Sequence, residues 1–217
     1  MRIEPDSNGA LFVKSVTHKD GTATASSADT GEIILLTDWR SVDTNAVYSA
    51  ESVGSVIAEY MKSVPIDGVR LAELPIHEMG LSRGTAMLDG LAKSLGRAGI
   101  WVDQISYMDP RPIFVMGDPA PIVYDNVAFA DNYWRMDVSG EEAKSGMRVD
   151  GAYNLYQQFI NDHADGYELV HLAPASYYIA TINLNTHDGG EGPIYDDWFG
   201  NSADKPARDK TGFYYSN

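Results

Sequence analysis

The sequence predicts an α/β protein with a mostly parallel sheet and helices on both faces. Three observations point there. Residues 32–39, Glu-Ile-Ile-Leu-Leu-Thr-Asp-Trp, hold a continuous apolar run, the mark of a strand buried on both sides. Strand-like and helix-like stretches then alternate up to Asp109. That alternation implies crossover connections and a parallel sheet covered by helices.

The elements follow in order. Ala10–Val16 and Thr22–Ser26, with Thr17–Gly21 between them, read as a hairpin. After the 32–39 strand, residues 49–64 place Val53, Val56, Ile57, Tyr60 and Met61 at helical spacing, with Ser49 as cap and Glu51 in the first turn. A short strand, Pro75–Met79, leads into Gly80-Leu81-Ser82-Arg83-Gly84. A second helix follows, with Met87, Leu88, Leu91 and Leu95 on one face and Gly96 or Gly99 as its stop. Ile100–Asp109 reads as a strand ending at Asp109, and four prolines between 110 and 121 make a loop. Residues 122–136 predict another strand, 150–162 a helix, and 173–184 a last helix after a loop containing His171. Residues 183–217 read as an irregular extension of a single domain spanning 1–217.

Composition narrows the function classes. With 31 acidic and 16 basic residues the net charge is −15, which argues against binding a phosphate backbone. The absence of cysteine excludes disulfides, thiol catalysis and Cys-ligated zinc. No apolar run approaches the roughly 18–20 residues of a membrane span. The first residues, Met1–Val13, hold no apolar signal core. Neither a P-loop nor a dinucleotide fingerprint occurs, so no cofactor is expected.

The chemistry gathers at Ser82. A G-x-S-x-G between strand and helix is the pattern of a nucleophile elbow, in which the serine occupies a strained turn. The helix start behind it places a positive dipole end, and the Arg83 backbone N–H, where an oxyanion would form. The bland alternative is a structural Gly-Ser-Gly turn. A nucleophilic serine needs a base and an orienting acid, and in this arrangement both follow it in the chain.

Three segments together, Ile33–Ser41, Ile76–Gly84 and Ile105–Pro112, resemble the pancreatic-lipase branch of the α/β-hydrolases. That branch carries a V-D-W strand end, a G-H-S-L-G elbow and an L-D-P segment. The chain is also similar to uncharacterised bacterial lipase/esterase-like proteins with an H-S-R-G elbow followed by G-I-W-V-D-Q, over roughly residues 32–182. The resemblance implies an α/β-hydrolase fold and a secreted or extracytoplasmic serine esterase or lipase acting on a small or lipid-like ester. It places the acid on Asp109, with Asp131 as the competitor, since many α/β-hydrolases keep the acid after the next strand. It places the base on His171, six residues before Tyr177-Tyr178, with His163 as the alternative. His18 precedes the serine, His77 sits in the strand before it, and His187 comes late.

Two departures stand out. Leu81 replaces the elbow histidine, a side chain the chemistry does not require. The H-G segment that supplies a second oxyanion donor is missing, and Thr17–Gly21 is a poor substitute. Either the α/β-hydrolase fold is shortened at the N-terminus or the hole is built otherwise, with an N–H at Trp39 or Arg40, or a side chain, as the second donor; failing these, the pocket is incomplete. A non-catalytic binding module on the same scaffold is the rival reading, and an amidase or peptidase using the same triad is a further one. Asp188, Glu191, Asp196 and Asp197 offer oxygen ligands of the kind Ca²⁺ takes, but match no EF-hand spacing, and a solvated acidic loop is the simpler reading. Tyr133-Trp134 and Trp198-Phe199 are read as core rather than as the lining of a site.

Overall fold

The structure, a computed structural model, describes residues 1–17, 33–66, 68–137, 145–190, 192–202 and 204–208. Its centre is a four-stranded parallel sheet formed by β5 (His77–Leu81), β6 (Val102–Met108), β7 (Val127–Trp134) and β8 (Tyr153–Tyr156), in that order. Before it come β1 (Arg2–Pro5), β2 (Leu11–Ser15), the single turn α1 (Arg40–Asp43), α2 (Ala50–Ser63) and a minimal hairpin of β3 (Pro65–Ile66) and β4 (Val69–Arg70). Helix α3 (Gly84–Arg97) joins β5 to β6, and α4 (Ala173–Ile182) follows β8.

Helices cover both faces. Ile105 and Tyr107 of β6 point into a core shared with Val53 and Ile57 of α2 and Leu88, Leu91 and Leu95 of α3. Met108 and Tyr133 point the other way, into a core with Tyr177 and Tyr178 of α4 and with Ile194 and Trp198. This is the period-two alternation of a sheet buried on both sides. Tyr133 and Trp198 are 3% and 1% exposed, so both are core. Helices α2 and α3 meet through reciprocal glycines: a Cβ on Gly54 would lie 2.0 Å from Met87 O, and one on Gly90 would lie 2.1 Å from Glu51 O. Ser49 caps α2, accepting from the Ser52 N–H.

Two sequence expectations are corrected. Residues 33–37 are not a buried strand: Ile34 and Leu36 are 70% and 77% exposed. Their backbone bonds go elsewhere. The amino group of Met1 donates to Leu36 O, Asp38 N to Met1 O, and Ile3 N to Asp38 O, a parallel bridge to β1. β5 therefore stays an edge strand among the described residues. β2 pairs with β1 through an Asp6–Ala10 turn with Gly9 at φ 82°, and Thr22–Ser26, the second arm of the hairpin expected from the sequence, lie outside the described residues. Residues 150–162 form β8 and a 3-10 stretch (Gln158–Gly166) rather than one helix. The Asn154 side chain bonds Val149 N, Val149 O and Ala152 O, which holds a turn ahead of β8 that a helix would break.

The α2–α3 core contains two buried acids. Glu78 of β5 is 4% exposed, and neither of its carboxyl oxygens has a hydrogen-bond partner. Asp89 of α3 accepts from Tyr107 Oη at 2.9 Å and Ile122 N at 3.2 Å. Burial drives the Glu78 carboxyl well up, with the charge of Asp89 adding to it, and pushes Asp89 up to about 7. A carboxyl whose folded-state pKa is raised binds more protons folded than unfolded between the two values. Stability is therefore expected to fall as pH rises from about 4 to about 7 through Asp89, and further through Glu78. Glu78→Met, which removes a buried group that bonds nothing, is expected to raise the urea midpoint at pH 8 and flatten the slope of stability against pH. A lower midpoint for the variant at pH 8 would contradict this.

Candidate active site

Ser82 stands between β5 and α3 with φ 58°, a left-handed conformation that non-glycine residues adopt at a cost. Its N–H donates to Met108 O at 3.0 Å, and its carbonyl accepts from Thr85 N, Thr85 Oγ1 and Arg111 N. Gly80 is needed for this turn, because a Cβ there would meet Leu88 and Gly84 at 2.9 and 3.0 Å. Gly84 has open space at the same test. Only one other described non-glycine residue has a positive φ: Asp109 at 44°, just past the end of the neighbouring strand β6.

Asp109 is fully buried. Its N–H donates to Tyr133 O at 2.7 Å, and its Oδ1 accepts from Arg135 N at 3.1 Å. Its Oδ2 lies 2.6 Å from His171 Nδ1. His171 sits in the 3-10 turn Val170–Leu172 ahead of α4. Its other nitrogen, Nε2, is buried and has no hydrogen-bond partner. With Nδ1–H donating to the carboxylate, the neutral ring presents the Nε2 lone pair as a base. No hydrogen bond joins Ser82 Oγ to His171 Nε2.

Arg83 holds the elbow from the other side. Its side chain is buried; Nε and Nη2 reach Asp118 Oδ2 and Oδ1 at 2.7 and 3.1 Å, and Nη2 donates to Tyr48 O at 2.9 Å. Nη1 donates to Asp43 O, and the guanidinium lies 5.3 Å over the Trp39 ring. Asp118 also accepts from Ala50 N at the start of α2 and from Ile113 N. One bidentate ion pair thus ties together the elbow, α2 and the loop after β6. The backbone N–H groups of Arg83 and Trp39 have no acceptor among the described residues, whereas Arg40 N donates to Asp38 Oδ1 at 3.3 Å.

The remaining sequence candidates lie apart. Asp131, on the α4 face of the sheet, accepts from Tyr133 Oη at 2.8 Å, and burial raises its carboxyl. It belongs to a polar row in which Ser106 Oγ bonds His77 Nε2 (3.0 Å), Gln104 Nε2 (3.2 Å) and Tyr178 Oη (3.2 Å). The His171 ring faces Asp109, not Asp131. His163 pairs with Asp197 at 2.8 Å and stacks on Tyr195. Asp196 lies near His187 and Arg208, and Asp188 accepts from Gly190 N. Among the described residues no group of three or more acids and histidines is placed to hold a metal; Glu191 and His18 lie outside them. Sequence reasoning missed Arg135 and Asp118. Arg135 follows a buried strand directly, and Asp118 lies amid prolines; neither position has a periodic signal.

Comparison with protein-family models, with curated proteins and with solved structures finds no match. The class the fold itself defines is an α/β protein with a mostly parallel sheet flanked by helices. No helix among the described residues is long and apolar enough to cross a membrane.

Removing one partner of a buried ion pair costs about 3–5 kcal/mol. Asp118→Ala also leaves Ala50 N and Ile113 N without their acceptor. The expected result is a loss of about 3 kcal/mol or more in urea unfolding, set by that buried-pair figure. A loss below about 1 kcal/mol, the range of exposed pairs, would contradict a structural role for the Arg83–Asp118 pair.

Proposed function

We propose that the chain is a serine hydrolase of carboxylic esters on an α/β-hydrolase-like scaffold. The observation that carries this reading is the geometry at two neighbouring strand ends. Ser82 occupies a left-handed turn after β5, and Asp109 occupies another after β6 with its Oδ2 2.6 Å from His171. Strained residues held by a rigid frame cluster at functional sites. The sequence resemblance to lipases and bacterial esterase-like proteins adds to it.

In this mechanism Ser82 Oγ attacks the ester carbonyl as His171 Nε2 takes its proton. Asp109 orients the imidazole and stabilises the imidazolium. The tetrahedral oxyanion is held by the Arg83 N–H, with the Trp39 N–H as the candidate second donor. Collapse releases the alcohol, which receives the proton from His171. His171 Nε2 then takes a proton from water as it attacks the acyl carbonyl, and collapse breaks the bond to Ser82 Oγ, which regains the proton from His171 as the carboxylic acid leaves. Phe114 and Val115, 60% and 90% exposed, sit in the loop whose Arg111 N–H bonds the Ser82 carbonyl, which favours an acyl group of apolar character.

The open link between Ser82 and His171 favours the rival, a binding module that keeps the scaffold without turnover. Catalytic hydrogen bonds are often long without substrate and tighten on binding, so the two readings part on rate. Hydrolysis of p-nitrophenyl acetate and butyrate is expected to depend on Ser82 and to fall to the uncatalysed background in Ser82→Ala. Equal rates in the two proteins would sink the catalytic reading and leave the binding module. Cleavage of anilide analogues at a rate matching the esters would move the substrate class to amides.

A further inference from the structure

Arg135 is the residue that the triad alone leaves without a purpose. It follows β7 directly and is 1% exposed. Arginine is almost never buried to this degree unless paired. Its backbone N–H donates to Asp109 Oδ1 at 3.1 Å, and its Nε lies 3.6 Å from Oδ2, the oxygen that meets His171. Its Nη1 reaches Met136 O, Asn161 Oδ1 and, at 3.9 Å, Asp137 Oδ2. Its carbonyl accepts from Gly146 N, and Gly146 lies flat on the acid: a Cβ there would come within 2.0 Å of Asp109 Oδ1. One residue therefore grips the carboxylate with its amide, faces it with its guanidinium, and anchors the glycine that closes over it.

Resting on the Ser82–His171–Asp109 reading, we propose that Arg135 is a positioning residue that fixes the Asp109 carboxylate against His171 and offsets its charge. The physics is a sum of two Coulomb terms through one oxygen. Asp109 stabilises the imidazolium, and a guanidinium on the same carboxylate opposes it, in a water-poor site where both terms are strong. Removing the guanidinium raises the proton affinity of the Asp109–His171 pair wherever the proton resides. Among the described residues, the charges acting on Arg135 besides Asp109 are Arg111 after β6 and Asp137 beyond it; Glu168, on the segment that carries His171, is exposed, and His163 is taken up by Asp197. Burial lowers the guanidinium from its usual value, and Asp109 and then Asp137 push it back up.

The test is a titration of the His171 ring by NMR on histidine-labelled protein, beside the pH dependence of kcat/KM. Arg135→Met is expected to move the His171 midpoint upward, with the acid limb of kcat/KM following it. Misplacing the acid should also lower kcat, by about 100-fold for a shift near 1 Å. Arg135→Lys, which keeps the charge, is expected to hold the midpoint near that of the parent. A folded Arg135→Met protein whose midpoint stays or falls would overturn the inference. Should Arg135→Met fail to fold, Asp137→Asn decides: relieving Arg135 of its outer partner is expected to move the His171 midpoint downward, and an unmoved midpoint would overturn the inference. The ring titration needs no turnover. An inactive protein with the expected shifts would sink only the hydrolase reading, and an active one with unmoved midpoints would sink only this one.

Discussion

The site depends on backbone bonds that run one step past the ends of the parallel strands. Ser82 N donates to Met108 O, and Asp109 N donates to Tyr133 O. Each residue that leaves a strand is thus pinned to the last residues of the next. This continuation of the ladder holds Ser82 and Asp109 side by side in left-handed conformations neither would keep alone. The same device recurs one strand over, where Gln157 N donates to Trp134 O at the end of β8. Positive φ at Ser82 turns the chain into α3, and positive φ at Asp109 turns its carboxylate toward the segment that carries His171.

Around that line the molecule is built to resist displacement. Arg83 and Asp118 lock the elbow to α2 and to the loop after β6. Arg135 and Gly146 lock the acid from the β7 side. Both anchors are buried arginines, and each faces a carboxylate with little or no exposure. Arg83 suits its place because its fork bonds both Asp118 oxygens at once, whereas Arg135 holds Asp109 by its backbone N–H and faces it with Nε at 3.6 Å. The serine and histidine, by contrast, stay unlinked to each other, His171 Nε2 being buried without a hydrogen-bond partner.

Much of this was legible in the chain because it is local. The strand, turn and helix around Ser82 declare themselves through Gly80, the helical spacing of Leu88, Leu91 and Leu95, and the apolar stretch that ends at Asp109. The His171 and Asp109 positions came from the resemblance, and the structure places their side chains in contact. What the sequence hid is non-local. The apolar 33–36 run has the composition of a core strand, yet its neighbour 36–38 spends its backbone bonds on residues 1–3. The 150–162 stretch has helical spacing, but Asn154 commits it to a turn and strand through bonds that no period reveals. Arg135 and Asp118 matter through partners 26 and 35 positions away, Asp109 and Arg83.

In the proposed mechanism Ser82 is a nucleophile activated by His171 and Asp109. The most direct measurement is intact-mass and peptide-level mass spectrometry after exposure to a fluorophosphonate ester, which bonds covalently only to an activated hydroxyl. A single phosphonyl adduct is expected on the peptide containing Ser82, strongly reduced in His171→Ala. No adduct on the folded protein, or an adduct on another residue, would contradict it.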